Sequence, residues 1–404
     1  MSDRIGSGGP SGGAPAPVYE QEEALLTRHF ALILLATALF GMAFSAYFLF
    51  PKFLATELHA DPPTIGGLSA ITMFVSVLFT PVVGVQIDRR RRRPFSTLGA
   101  VLFAVAGAGM VVADHVGPLM WLLRALQGVA FTLFFISLST LAVDLAPPKR
   151  MGQAIGLFGG VMISTNALGP ALAEWGAHAF GWPSVFAATG VAAVLAALLT
   201  LLIAERPHEH VEEAPTRMLA LVTRAGLRRM LVVAMLAGAT MGTLFTFYQP
   251  WALTLGLERV SGFLIGFAGC AMVVRFGLGG LADRLGRLRV ATVSSFFYIA
   301  APLLMIRVDV AGLVLTGCLL GLAHGLFFPA LNAVALDHAT SRERGKAMAA
   351  YHGAFNIGFA GGSYLLGFLV VATNYPTIFA LAGAGCATGF VLLATAQRGG
   401  SVTP

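Results

Sequence analysis

Gly84-Val85-Gln86-Ile87-Asp88-Arg89 and, 195 residues later, Gly279-Gly280-Leu281-Ala282-Asp283-Arg284 share one pattern, a glycine four residues before an Asp-Arg pair. The match continues beyond these segments. A shift of 193 residues lays Gly128 on Gly321, Phe134-Phe135 on Phe327-Phe328, Leu138 on Leu331, Asp144 on Asp337, Gly152 on Gly345 and Ala154 on Ala347. The chain therefore reads as two related halves, and its composition says what each half is made of.

Of 404 residues, 57% are hydrophobic and 11% charged, against about 25% charged in a soluble domain. This is the composition of a membrane protein. Apolar residues come in continuous runs such as Phe30 to Phe50, not in the alternation over about ten residues of a barrel strand. The fold class is all-α, and at about 20 residues per span twelve helices need roughly 240 residues. Glycine, proline and charge breaks set the spans near 29-51, 65-87, 95-113, 118-143, 152-174 and 184-204, then 229-254, 261-282, 289-307, 311-336, 346-371 and 376-396. Residues 1-28, rich in Gly, Pro, Ser and Ala, read as a disordered cytoplasmic tail. The first apolar run has 21 residues, too long for a signal-peptide core, and reads as an uncleaved helix. Residues 205-228 form a polar central linker between six-helix bundles at 29-204 and 229-396, and 397-404 a short tail.

Charge placement orients the chain. Of 26 Lys and Arg residues, 21 fall in the tails, the linker and the even-to-odd loops, and three (Lys52, Arg259 and Arg307) in the opposite loops. That bias places both termini in the cytoplasm. The Arg89 to Arg93 run between two apolar segments is then a membrane anchor, and nucleic-acid binding is excluded despite the net charge of +7. Cys270, Cys318 and Cys386 lie within apolar runs without metal-ligand spacing and read as buried thiols; no metal or cofactor is expected.

The duplicated loop, Gly84-x-x-x-Asp88-Arg89 and Gly279-x-x-x-Asp283-Arg284-Leu-Gly286-Arg287, resembles the loop signature of the major facilitator superfamily, and Arg124-Ala-Leu-Gln127-Gly128 resembles that family's R-x-x-Q-G segment. The resemblance covers all twelve spans. It implies two six-helix pseudo-repeats, a substrate site near mid-membrane between them, a loop cluster latching the cytoplasmic gate, and a role for Arg124 in proton coupling or in holding an anion. Gly169-Pro170 partly resembles the family's antiporter signature, although Thr165 and Ala173-Glu174 replace its glycines.

An arginine inside a span is costly and marks a functional site that needs a partner. Glu174, at the outer end of span 5, could face Arg124, and the two are the coupling candidates. Arg275 precedes Asp283 by two helical turns and reads as support for the second loop cluster. The cavity candidates are the mid-span polar residues Tyr47, Gln127, Asn166, Tyr248, Gln249, His324, Asn332, His352 and Asn356, with Phe44, Phe131 and Phe328 beside them. Spans 1, 2, 7, 8, 10 and 11 hold no acid except Asp88, Asp283 and Asp337 at their cytoplasmic edges. A counter-ion for a cationic substrate is thus absent. No His-x-x-x-His, paired acids or Ser-His-Asp grouping suggests an enzyme. The leading expectation is a monomeric secondary transporter of a bacterial inner membrane, exporting a hydrophobic or amphipathic, neutral or anionic small molecule by alternating access in exchange for protons. The alternatives are a facilitator or importer of a small organic anion or sugar, and a lipid flippase. Arg-rich, Lys-poor usage points to a bacterial source.

Overall fold

The computed structural model describes residues 25–89, 91–147, 150–205, 218–278, 281–340 and 343–400. Of the loop-signature residues, Gly279 and the side chains of Asp88, Arg89 and Asp283 lie outside the described residues. The helices are α1 Arg28–Ala46, α2 Phe50–Thr56, α3 Pro62–Arg89, α4 Arg92–Val112, α5 Pro118–Asp144, α6 Met151–Phe180, α7 Trp182–Leu201, α8 Met218–Val222, α9 Ala225–Thr254, α10 Ser261–Gly277, α11 Leu281–Leu285, α12 Arg287–Met305, α13 Val310–Asp337, α14 Arg344–Ala372 and α15 Tyr375–Gly400. Among the described residues, eleven segments are long and apolar enough to cross a membrane, and α10, with 17 residues, is a shorter apolar helix at the expected place of the twelfth. Inner and outer below follow the charge count.

Two spans differ instructively from their expected limits. The first reaches Thr56 rather than 51, through a 3-10 turn at Tyr47–Leu49 that joins α1 to α2. Pro51, at the start of α2, lacks an N–H and cannot continue a regular ladder from the preceding turn. Span 8 was expected over 261-282 but ends at Gly277, where Gly277-Leu278-Gly279-Gly280 offers three poor helix formers in four positions. At 1.5 Å per residue, α10 is about 26 Å long, slightly short of a hydrocarbon core of roughly 30 Å.

Helices pack closely where glycine lets backbones touch. Between α9 and α14, a Cβ on Gly238 or Gly242 would strike the carbonyl oxygens of Phe355 or Phe359, and one on Gly358 or Gly362 those of Met235 or Ala239. With little hydrophobic drive between helices in lipid, such contact supplies much of the association energy. Across the two halves, Gly66 of α3 meets the Ser363 carbonyl of α14, and Gly367 meets that of Pro62.

The repeat is also visible as an ion pair made twice. Arg92, at the start of α4, pairs with Asp144 at the end of α5; 195 and 193 residues later, Arg287 at the start of α12 pairs with Asp337 at the end of α13, at 3.3 Å. In the first half Glu205 adds an acceptor for the Arg92 and Arg93 N–H groups, and Arg93 Nη1 donates to the Leu201 and Ile203 carbonyls at 3.4 Å. Arg92 and Arg93 thus tie helix ends together and are more than anchors. Placing Ala at Gly358 should destabilise the protein by about 1–3 kcal/mol through overpacking, seen as a lower melting temperature in detergent. Gly361→Ala, at a position with free space around its Cβ, should leave the melting temperature unchanged.

Candidate functional site

At the outer ends of the spans, one carboxylate joins the two halves. Glu174 Oε1 accepts from Lys52 Nζ and from the Val260 N–H, both at 2.8 Å, while Oε2 accepts from the Ser261 N–H at 3.0 Å. Lys52 and Glu174 belong to the first half, and Val260 and Ser261 open α10 of the second. The N-terminus of α10 presents unsatisfied N–H groups and a positive dipole end, so a carboxylate fits it. Lys52 Nζ also donates to the Glu258 carbonyl. Its backbone N–H donates to Gln249 Oε1 at 2.9 Å, and Gln249 Nε2 donates to the Phe48 carbonyl. The Lys52 and Glu174 side chains are 16% and 13% exposed, so these contacts are only partly screened by water.

Beneath this latch lies a cavity shared by both halves, lined by Phe44, Tyr47, Phe48 and Pro51 from the first span, Ser69, Thr72 and Met73 from α3, Arg124 from α5, Phe245 and Thr246 from α9 and Phe359 from α14. The break between α1 and α2 turns Tyr47 and Phe48 into it. Arg124 is 6% exposed. Its Nε donates to the Leu68 carbonyl at 3.0 Å and its Nη1 to Gln127 Oε1 at 2.6 Å, and its Cζ sits 4.6 Å from the Phe50 ring centroid and 5.6 Å from that of Tyr47. Among the described residues it has no carboxylate partner. The Tyr47 and Thr189 hydroxyls are 3.4 Å apart. Neutral acceptors and aromatic faces orient the guanidinium but leave its charge uncompensated, a costly arrangement unless an anion or a mobile proton makes use of it.

The expected facing of Arg124 and Glu174 is not found, since each engages a different set of partners. The cavity candidates sort into separate places. Phe44 and Tyr47 line the cavity, and Phe131 stacks on Phe44 at 4.3 Å. Gln127 is buried and clamps Arg124, its Nε2 having no partner among the described residues. Gln249 works in the latch. Tyr248 is fully buried against Phe263, 4.2 Å between centroids, outside the cavity wall. Asn166 and Asn356 are half-buried, and Asn332 Oδ1 is buried without a partner among the described residues. His324 and His352 flank Phe328 at 4.8 and 5.2 Å, with His324 Nδ1 2.8 Å from the Tyr298 hydroxyl. These form an imidazole and aromatic cluster within the second half. Of the cysteines, Cys386 is buried, while Cys270 and Cys318 are only half-buried. Lys52 was missed as a site residue; its signal was that it is one of only three basic residues in the outer loops.

The two ends of the inter-half seam differ. Outside, Glu174 and the contacts at Gly66 and Gly367 close it. Inside, Gly84 of α3, Gly152 and Gly156 of α6, Gly277 of α10, and Gly345 and Gly353 of α14 have no neighbouring atom within 4 Å of where a Cβ would stand. The latch lies at the outer ends, while on the inner side Arg275 and Phe276 of α10 rest on Gly159 and Gly160 of α6.

Known proteins share this architecture. The family model described as Major Facilitator Superfamily matches residues 33–312 and 275–402. The multi-drug resistance efflux pump PmrA of Streptococcus pneumoniae serotype 4 is 25% identical over 278 residues, covering 66% of this chain and 69% of that protein. Multidrug resistance protein MdtL of Shewanella oneidensis is 24% identical over 259 residues, covering 62% of this chain and 64% of its own. The crystal structure of a mutant of the nucleoside transporter NupG superposes with a TM-score of 0.76 at 14% identity, over 91% of this chain and 99% of that one, and shares the fold. With its duplicated loop, its twelve apolar helices and its cavity between two halves, the chain belongs to the Major Facilitator Superfamily.

Proposed function

We propose that this protein exports hydrophobic or amphipathic small molecules, neutral or anionic, across a bacterial inner membrane by alternating access in exchange for protons, acting as a monomer. One observation carries the reading: a buried guanidinium without a carboxylate faces an aromatic cavity to which both halves contribute. Aromatic rings accept apolar bodies of varied shape, and the unpaired Arg124 favours an anionic head. The names of PmrA and MdtL as efflux proteins support the direction. A single chain supplies the complete cavity.

Glu174 supplies the coupling step in this reading. Protonating its carboxylate from outside cancels the ion pair with Lys52 and weakens two charge-assisted bonds to the α10 N-terminus. The outer seam then opens, the substrate leaves, and the proton is carried inward as the seam closes. A second reading, a facilitator of organic anions, is favoured by the same unpaired Arg124 and differs in ignoring the proton gradient.

In proteoliposomes, Arg124→Gln should lower transport of an amphipathic carboxylate at least about tenfold, the equivalent of one lost charged hydrogen bond, with a far smaller effect on a neutral substrate. An equal loss for both substrates would make Arg124 purely structural. Wild-type transport should rise with an inward proton gradient, and Glu174→Gln, which mimics the protonated latch, should remove the dependence on external pH. A wild type indifferent to the gradient would leave the facilitator reading in place, and a Glu174→Gln profile matching wild type would exclude Glu174 from coupling.

A further inference from the structure

Two of the three cysteines meet in the second half, and no step of the transport mechanism uses them. Cys270 of α10 and Cys318 of α13 stand where these two spans cross, with their thiols close enough to share a hydrogen bond. Glycine makes the approach possible. A Cβ on Gly266, one turn before Cys270, would stand 2.5 Å from the Val314 carbonyl oxygen and 3.2 Å from both the backbone nitrogen and the sulfur of Cys318. Residues four apart share a helix face, so Cys318 sits against the face of α10 that carries Gly266 and Cys270. Counted from Ser261 and Val310, the two cysteines lie about 14 and 12 Å below the outer ends of their helices, near the middle of a hydrocarbon core roughly 30 Å thick. Both are half-buried, and the exposed side chains on the adjoining turns are apolar: Val273 of α10, and Val314 and Leu315 of α13. Cys386 differs, being buried and 3.0 Å from the Thr240 hydroxyl.

Two thiols in reach of one another can hold a single atom between them, and the apolar setting selects which. A metal cation would have to shed its hydration to reach mid-membrane, and a disulfide would need an oxidant. A neutral trivalent arsenical needs neither. We propose that Cys270 and Cys318 form a dithiol site for a neutral, lipid-soluble trivalent arsenical, which enters from the bilayer and bridges α10 to α13. With an arsenoxide, two As–S bonds form while both S–H bonds and the arsenic–oxygen bond break. The two protons leave with the oxygen as one water, and arsenic stays trivalent, so nothing is oxidised or reduced. Because the close crossing at Gly266 holds the two sulfurs together beforehand, the second bond closes within one molecule. The site lies inside the second half, apart from the cavity at Arg124, and its existence does not depend on the direction or coupling of transport.

The test uses the reduced full chain in nanodiscs, with phenylarsine oxide as the probe and intact-protein mass spectrometry as the readout. The chain has three cysteines, so three substitutions cover every thiol. Wild type should carry one arsenical per chain and keep it against a titration with 2-mercaptoethanol, a monothiol. Cys270→Ser and Cys318→Ser each leave a single As–S bond, and each should release the arsenical at a monothiol concentration at least about a hundredfold lower, the low end of what a second, intramolecular contact contributes. Cys386→Ser should match wild type. Absence of an adduct on wild type overturns the site, as does an adduct that resists the monothiol equally well in Cys270→Ser or in Cys318→Ser. Loss of resistance in Cys386→Ser overturns the assignment to this pair. Melting temperatures matching wild type confirm that the variants are folded, and where a serine lowers the melting temperature, alanine at the same position takes its place.

Discussion

Glu174 binds a lysine of its own half and the N–H groups of Val260 and Ser261 at the start of α10 in the other half, a junction on which the proposed alternation depends. With it in place, α6 and α10 are held together at the outer face; Lys52, carried on the bent end of the first span, is anchored to Gln249 and Glu258 of the second half. Hydrogen bonds to charged groups contribute about 1.5–3 kcal/mol each, and moving a two-state equilibrium from 1:99 to 99:1 takes about 5.5 kcal/mol. Three such contacts released together are of the size a gate requires. In the proposed mechanism a single proton on this carboxylate weakens all three at once.

The cavity beneath obeys the same economy of charge. Its walls are phenylalanine, tyrosine, proline, methionine, serine, threonine and one arginine, and the arginine is oriented by a carbonyl, an amide and two ring faces. Had an acid paired with Arg124 inside the cavity, the site would be electrically complete and indifferent to a ligand's charge. Without one, an anionic or electron-rich guest gains what the protein itself withholds. The duplicated design underlies the proposed alternation. Each half carries its own Arg-Asp pair on the inner side, and at the outer ends the halves meet through the Glu174 contacts and the close backbone approaches at Gly66 and Gly367.

Much of this was legible in the chain. The spans appeared because continuous apolar runs have one explanation in a sequence so poor in charge, and the halves because the loop segments at Gly84 and Gly279 repeat. Arg124 stood out because charge in a span is expensive. The latch was not legible: Lys52 and Glu174 are 122 residues apart and the α10 N-terminus a further 86, and no local pattern joins them. Polar residues in spans were equally opaque in direction. Gln249 and Tyr248 are neighbours, yet a helix turns them about 100° apart, one into the latch and the other against Phe263. Gln127 looked like a cavity residue and proved to be the clamp on Arg124. The end of α10 at Gly277 was visible only as a glycine cluster that a continuous hydropathy reading passes over.

The most direct measurement is a pair of distances by double electron–electron resonance in nanodiscs. Spin labels at Glu57 and Arg259 report the outer seam, and labels at Val85 and Met348 the inner ends of α3 and α14. Wild type should give a single short outer distance, and replacing Lys52 by Ala should add a longer outer population together with a matching shorter inner one. An outer distance unchanged by the loss of Lys52, or an inner distance that fails to shorten as the outer one lengthens, would contradict a molecule that alternates about this latch.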